Sequence, residues 1–530
     1  MNDRPLWADL HNHNALGYGR GTLDRSYEIA KGALLDAYCF TPHGLWHDRP
    51  ESDAKMKAFH ERGFELVRRN WRDIVAKANE ENTDGRFTAF IGFEWHSSRD
   101  GDFHVVFPGE AGHLLGPDSA DELRRFCRDH GALMIPHHVG YPRGWRGANW
   151  DQVSADRSPV VDVFSEHGCG MEPESHWQML GHSMGGLERS QTLLAELNRG
   201  RVAGVVSSTD NHFGHPASYG EGLTAIWADG HDRAAVFGAL RDRHTYALTG
   251  DRIALNVEMS RAVMGDIVPA DTPRNLQVEC SGLGPVDYVE VLKNGTAVLH
   301  ESPLSADARH CSPIGGPPLS ARQQPLRPAE DIYTVRIEFG WDAMTAEAVT
   351  DWNIRATVTG GRILDVAPCF AGGGGPDYAR TGGSGSEPCP ASDAGLIDKL
   401  NRILAVSPEE VELESFTSRR NARPTSAVVL RLVGNPETQV AIDAESEREG
   451  ASNSCRLSAD LGELLHRDEW RCISQTFSAP KIRLGQAYHH SKTRFSLAWT
   501  DPRPGESDWY LVKVQQKNGH IAWSSPIWCR

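Results

Sequence analysis

Asp9-Leu-His-Asn-His13 closes a short apolar run, 6–10, with the length and texture of a strand. Residues two apart on a strand point the same way, so both imidazoles are aimed at one point and can grip one ion. The placement recurs. Further strand-like runs are predicted at 37–41, 87–93, 103–107, 132–135, 160–164 and 202–207. His43 follows the second run, Glu94 the third, and His104 lies on the next. His137 and His138 close Leu133-Met-Ile-Pro136, and Asp210 and His212 follow Val205-Val-Ser-Ser-Thr209.

Between these runs the apolar residues take helical spacing. Leu23, Tyr27, Ala30 and Leu34 fall on one face, and Met56, Phe59, Leu66 and Ile74 on the face of a longer helix. Alternating strands and helices indicate an α/β unit over residues 1–250, a closed or nearly closed TIM-like barrel of about seven repeats. In such barrels the C-terminal strand ends share one face, where side chains from distant sequence converge. From residue 251 to 530 the texture turns to alternating, β-branched runs, among them Leu276-Gln-Val-Glu-Cys280, Tyr288-Val-Glu-Val-Leu292, Tyr333-Thr-Val-Arg-Ile-Glu-Phe339 and Ser426-Ala-Val-Val-Leu-Arg-Leu432. These predict an antiparallel β-sandwich, interrupted by a Pro-rich insertion at 312–328 and a Gly/Ser/Pro-rich one at 371–395.

Composition narrows the function. With glycine counted and tyrosine left out, about 47 % of the 530 residues are apolar, within the ordinary globular range of ~45–50 %. The net charge of −16, without any Lys/Arg-rich block, argues against a nucleic-acid partner. Neither a signal-like h-region nor a membrane-length apolar run occurs, so a cytoplasmic protein off the membrane is expected. Ten cysteines without a C-x-x-C pair read as reduced thiols, with bridges in the second half left open.

Of the 24 histidines, 18 lie within residues 1–250, so the halves are expected to do different jobs. Imidazole with carboxylate suits Zn, Mn or Fe. The candidates outnumber the four ligands of one structural zinc ion, which points to two or three divalent ions sharing a bridging acid; an organic cofactor is not expected. Such a cluster lowers the pKa of bound water from ~15.7 toward ~7, and hydrolysis by an activated hydroxide is the chemistry it favours.

The motifs resemble the PHP (polymerase and histidinol phosphatase) superfamily: D-L-H-N-H at 9–13, F-T-P-H at 40–43, G-F-E-W at 92–95, F-H-V-V-F at 103–107, I-P-H-H at 135–138 and S-T-D-N-H at 208–212. V-D-V-F-S-E-H-G at 161–168, T-Y-A-L-T-G-D-R-I at 245–253 and A-W-S-S-P-I at 522–527 resemble its large branch with an immunoglobulin-like appendage. The resemblance implies a distorted (β/α)7 barrel related to amidohydrolases and a metal-dependent phosphoesterase. It implies that His11, His13, Glu94 and Asp210 hold one ion, with Glu94 bridging. His43 and His104 would serve a second, and His138 and His212 would complete the cluster. His138 is preferred to His137 because Val139 and Gly140 after it match the family's His-Pro-Gly. Tyr18 stands where the family often has an acid, and Thr41-Pro42-His43 where it has Thr-Asp-His, which puts a third ion and the support of His43 in question.

On the substrate side, Gly140-Tyr-Pro-Arg-Gly-Trp-Arg-Gly-Ala-Asn-Trp150 offers Arg143 and Arg146 to fork onto a phosphate or carboxylate, with Trp145 or Trp150 to cover an apolar part. Arg20, Arg252 and Glu166 are further candidates near the mouth, and His167 is a candidate catalytic residue beside Glu94 and Asp210. Gly181-His-Ser-Met-Gly185 fits a nucleophile elbow at Ser183, but Glu174-Ser-His-Trp-Gln-Met-Leu180 before it is a poor strand. The reading is a metal-dependent hydrolase of a small acidic molecule, most simply a phosphoesterase, with a homo-oligomer left open. An amide or ester hydrolase on the same centre, a non-catalytic metal-stabilised binding protein and a serine hydrolase using Ser183 are the alternatives.

Overall fold

The computed structural model describes residues 4–50, 54–181, 184–303, 331–341, 349–373, 398–418, 421, 423–448, 450–473 and 479–530. Ser183, the insertion at 312–328 and most of that at 371–395 lie outside them.

The first half runs β1 (Leu6–Asp9), α1 (Leu23–Gly32), β2 (Ala37–Phe40), β3 (His43–Trp46), α2 (Ala54–Glu81), β4 (Thr88–His96), β5 (Asp102–Val106), α3 (Ala120–Asp129), β6 (Leu133–His137), β7 (Val160–Asp162), β8 (Phe164–Ser165), β9 (Gly168–Cys169), α4 (Leu193–Asn198), β10 (Gly204–Val206), β11 (Leu223–Ile226), α5 (Arg233–Arg241) and β12 (Thr245–Leu248). Every residue of β2, β4, β5 and β6 is buried, which is why these strands read as apolar runs rather than as alternating patterns. Helix starts are set locally: the hydroxyls of Thr22, Ser119 and Thr192 and the carboxylate of Asp232 accept from amides in the first turns of α1, α3, α4 and α5. In α2 the buried face is Phe59, Phe64, Val67, Ile74 and Ala78, whereas Leu66 is 40 % exposed and lies off it. Leu34 falls beyond α1 in a left-handed conformation (φ 53°).

β1, β2 and β4 pair in parallel, β5 runs antiparallel between β4 and β6, and β11 and β12 form an antiparallel edge on β1. β7 and β10 pair in parallel as a separate two-stranded sheet. The expected circuit is therefore not closed by backbone ladders among the described residues. Side chains bridge one of the two breaks, that between β10 and the β11–β12 pair: Ser207 Oγ lies 2.6 and 2.9 Å from the Leu223 and Leu248 carbonyls, and Thr245 Oγ1 donates to the Val205 carbonyl (2.8 Å). Thr224 Oγ1 receives the Ser207 amide and returns a bond to its carbonyl, so hydroxyls span where a ladder would run.

The sheet continues past residue 250. Strand Ile521–Ser524 pairs with β12, Tyr246 opposite Ser524, and leads on to Asp508–Gln516 and Ile527–Cys529. One core accordingly takes Trp95, Val105 and Phe164 from the first half and Val257, Val291, Val514 and Trp523 from the second. Two further antiparallel sheets share another core. Val349–Thr359, Glu410–Ser418 and Gln439–Arg448 contribute Trp352, Leu413 and Ile442 to it, and Ile332–Gly340, Thr425–Val433 and Lys481–Leu484 contribute Val335, Leu430 and Ile482. Eight cysteines are described and all are free. Among the described residues, no helix is long and apolar enough to cross a membrane.

Candidate metal centre

Two backbone bonds set the geometry where β1 ends. The His13 amide donates to the Asn211 carbonyl (3.1 Å) and the Asp210 amide to the His11 carbonyl (3.0 Å), docking the first histidine pair on the loop after β10. Both imidazoles then face one carboxylate, with Nε2 of His11 and of His13 at 3.2 and 3.0 Å from Asp210 Oδ1. Asp9, buried behind them, fixes this junction by accepting from the His11, Thr209 and Ala217 amides and the Thr209 hydroxyl.

Glu94 lies across from Asp210. Its Oε2 is 3.5 Å from His13 Nε2, 3.6 Å from His43 Nε2 and 3.4 Å from His96 Nε2. His104, opposite Glu94 in the β4–β5 register, stacks on His11 with centroids 3.6 Å apart. His137 ends β6, and its Nε2 lies 3.2 Å from Asp210 Oδ2. His138 follows with φ 54°, so the alternation of a strand is broken and neighbouring rings fall to 3.7 Å apart instead of opposing. Asp210 itself is left-handed (φ 56°). His212 Nδ1 lies 2.9 Å from the Asp210 carbonyl and 3.3 Å from Glu166 Oε1, and His167 Nε2 is 3.2 Å from Asp210 Oδ2.

The donor atoms form overlapping groups within 4.8 Å: His11, His104 and His137; His13, His43 and His212; His11, His13 and Asp210; His43, Glu94 and His96; and Glu94, His137 and His138. His104 is thus grouped with His11 and His137, and His43 with His13, Glu94, His96 and His212. His137 and His138 both reach the cluster.

His96, Asp102 and Asp162 were not singled out in the sequence. Each holds a ring nitrogen turned away from Glu94 or Asp210, or is so held: Asp102 Oδ2 lies 3.3 Å from His96 Nδ1, and Asp162 Oδ2 3.5 Å from His137 Nδ1. Thr41 Oγ1 does the same for His11 Nδ1 at 2.6 Å, and the Tyr141 hydroxyl for His167 Nδ1 at 3.0 Å. Fixing one imidazole nitrogen to present the other is how ligating histidines are oriented. Thr41 therefore supports His11 rather than His43, while Tyr18 stacks on His43 at 3.4 Å.

Burial pushes His13, His43, His104 and His138 well below the usual imidazole range, and burial with the nearby His137 takes His11 down to about 3. These rings are neutral at pH 7, the form that coordinates a cation. His137 is the exception: burial works against its charge, but Asp162 and Asp210 raise it to about 10. Burial and the charges of Asp102 and Asp210 push Glu94 well above the carboxylate range. Burial also opposes charge on Asp210, yet His11, His13 and His137 hold it well below.

His11 Nε2, His96 Nε2, both nitrogens of His104 and His138 Nδ1 are buried without a hydrogen-bond partner. Each such atom costs about 1–3 kcal/mol if nothing else engages it, so a cluster of them is an uncompensated set of donors to a cation. The residues present fit divalent transition-metal ions.

Of the arginines, Arg146 enters the site. It is left-handed (φ 67°), donates from Nε to Asp102 Oδ2 (2.8 Å), lies with Nη2 3.2 Å from His96 Nδ1, and stands over Trp46 at 4.9 Å. Arg20 lies beside the His212 loop through its amide, 2.7 Å from the His212 carbonyl, and its Nε is buried without a partner. Arg143 is turned to Asp151 at the surface (2.9 Å). Arg252 is not brought to the cluster: its guanidinium donates to the Ala33 carbonyl and lies over Trp7, toward the start of β1. Trp145 is 63 % exposed, whereas Trp150 is buried with Nε1 on the Gln191 carbonyl. No strand occurs at 174–180, the support that an elbow at Ser183 requires.

The family described as "Protein of unknown function (DUF3604)" matches residues 44–111 and 177–266. A protein of Chlamydia pneumoniae, described as uncharacterized, is 33 % identical over 258 residues, 43 % of this chain and 40 % of its own. One of Chlamydia muridarum, also described as uncharacterized, is 24 % identical over 308 residues, 48 % of this chain and 49 % of its own. The chain thus spans about two fifths to half the length of these relatives. A solved structure of a two-domain protein containing a predicted PHP-like metal-dependent phosphoesterase, from Bacteroides vulgatus, aligns over 54 % of this chain and 78 % of its own, at 16 % identity and a TM-score of 0.28.

Proposed function

We propose that this centre holds two or three divalent transition-metal ions and that the chain is a metal-dependent hydrolase, acting on a phosphoester of a small acidic molecule. The observation that carries the reading is the set of buried, partnerless imidazole nitrogens around Glu94 and Asp210. His11, His13, His43, His104, His137, His138 and His212 would be ligands with these two acids, and His96 joins them on its position beside Glu94. Zn, Mn or Fe bound there would supply Lewis acidity and activation of water.

The chain's own groups do the rest. The Arg146 guanidinium, anchored on Asp102, orients an anionic substrate and favours phosphate over a neutral amide or ester. His167, held by the Tyr141 hydroxyl, is placed to keep or pass a proton at Nε2 beside Asp210. We read residues 1–250 as a distorted barrel in which the Ser207, Thr224 and Thr245 hydroxyls bridge β10 to β11 and β12. The two sheets that share a core in residues 251–530 are read as an immunoglobulin-like sandwich.

Metal analysis of the purified protein, followed by chelation, Mn or Zn add-back and assay against phosphomonoesters, phosphodiesters, amides and esters, tests the proposal. Activity lost on chelation, restored by metal and confined to phosphoesters is expected. A protein that takes up no ion refutes it.

A further inference from the structure

The loop that carries Asp210 and His212 is held by residues far along the chain. Asn211, buried between the two, accepts at Oδ1 from the Phe213 and His215 amides (2.9 and 3.2 Å) and donates from Nδ2 to Glu221 Oε2 (2.8 Å) and the Gly373 carbonyl (3.2 Å). The Gly372 amide donates to Ser218 Oγ (3.0 Å), and the Tyr219 amide to the Phe370 carbonyl (2.9 Å). Asn401 and Asn421 both donate to the Ala371 carbonyl, fixing the segment from its other side. Arg25 closes the arrangement, reaching the Phe213 carbonyl, His215 Nε2 and the Lys399 carbonyl.

The fit leaves no slack. A Cβ on Gly372 would fall 2.6 Å from His215 Cβ, and one on Gly373 3.1 Å from Phe213 Cδ1. Asp210 sits in left-handed backbone, a conformation of roughly 1–3 kcal/mol strain that persists only where the surroundings over-determine it. The His11 and His13 backbone bonds constrain it from one side, and the bonds from residues 370–373 to Asn211, Ser218 and Tyr219 hold the same loop from the other.

We infer that residues 370–373, on the β-rich half, brace the Asp210–His212 loop and set the metal affinity of the centre, with Asn211 and Gly372 as positioning residues. The inference rests on the metal reading above. It gives the second half a task inside the site of the first: the ligand loop is complete only when both halves are folded together.

Mn titration of the full chain, followed by electron paramagnetic resonance and metal analysis, tests it. Gly372→Ala is expected to weaken Mn uptake ~10–100-fold, the usual effect of disturbing the groups behind a ligand, with wild-type circular dichroism. If Gly372→Ala does not fold, Ser218→Ala decides, since it removes the acceptor of the Gly372 amide and leaves Asp210, Asn211 and His212 unchanged. Ile442→Ala, in the sheet of the two-sheet core that does not carry residues 362–369, should lower the melting point and leave Mn affinity unchanged. Wild-type affinity in both loop variants, or equal weakening in Ile442→Ala, overturns the inference while the metal reading stands. A wild-type chain that binds no Mn or Zn overturns both.

Discussion

His43 and Glu94 stand opposite one another in the parallel pairing of β3 with β4, Nε2 of the one 3.6 Å from Oε2 of the other. Strand register alone therefore brings a histidine and an acid from separate segments into contact. Glu94 also faces His13 and His96, so its carboxylate is the point at which the groups from β1, β3 and β4 meet.

That position makes Glu94→Gln informative. The change keeps the shape and removes a carboxyl whose ionisation burial, Asp102 and Asp210 all oppose. Metal uptake is expected to fall at least ~10-fold, and the melting point of the metal-free protein to hold or rise. Metal analysis and calorimetry of chelated samples read the two effects.

Metal removal is expected to lower stability in the wild type. An ion present at about 1,000 times its Kd stabilises the folded state by about 4 kcal/mol. The melting point should rise with Mn concentration, and a concentration-independent melt would contradict the prediction.

Arg146→Lys retains the charge but loses the fork that bonds Asp102 while facing the substrate. For a phosphomonoester, KM is expected to rise about tenfold or more with metal content unchanged, equivalent to roughly 1.4 kcal/mol of lost binding. Steady-state kinetics on the metal-loaded variant decide it.

Acid should weaken the fold through His520. Burial takes this imidazole from 6.5 to about 4, against the pull of Asp251. The unfolded chain then gains a proton that the folded chain refuses. The contribution of His520 is full above pH 6.5 and is lost as the pH falls toward 4, by about 3 kcal/mol at most. Denaturant melts at pH 7 and pH 4.5 should show a smaller difference for His520→Gln than for the wild type.

Much of the site is legible in residue spacing. His11 and His13 are aimed together by the period of an extended chain, and apolar runs such as 87–93 announce fully buried strands. His96 carries the same signal, two residues after Glu94 on one strand. Asp102 and Asp162 have no such mark. Asp102 meets the cluster because it pairs with His137 across β5 and β6, a register that no local pattern encodes. The open circuit is hidden for a similar reason, since Ser207 and Thr224 look like any strand hydroxyls until their partners are known.

The pairing of Tyr246 with Ser524 also bears on biosynthesis. β12 emerges from the ribosome long before its neighbour at 521–524 exists, and waits with one edge unsatisfied while more than half of the polypeptide is translated. Sheets assembled from such distant segments form slowly and invite intermolecular pairing in the interval, so nascent chains of this protein should depend on chaperones that shield strand edges.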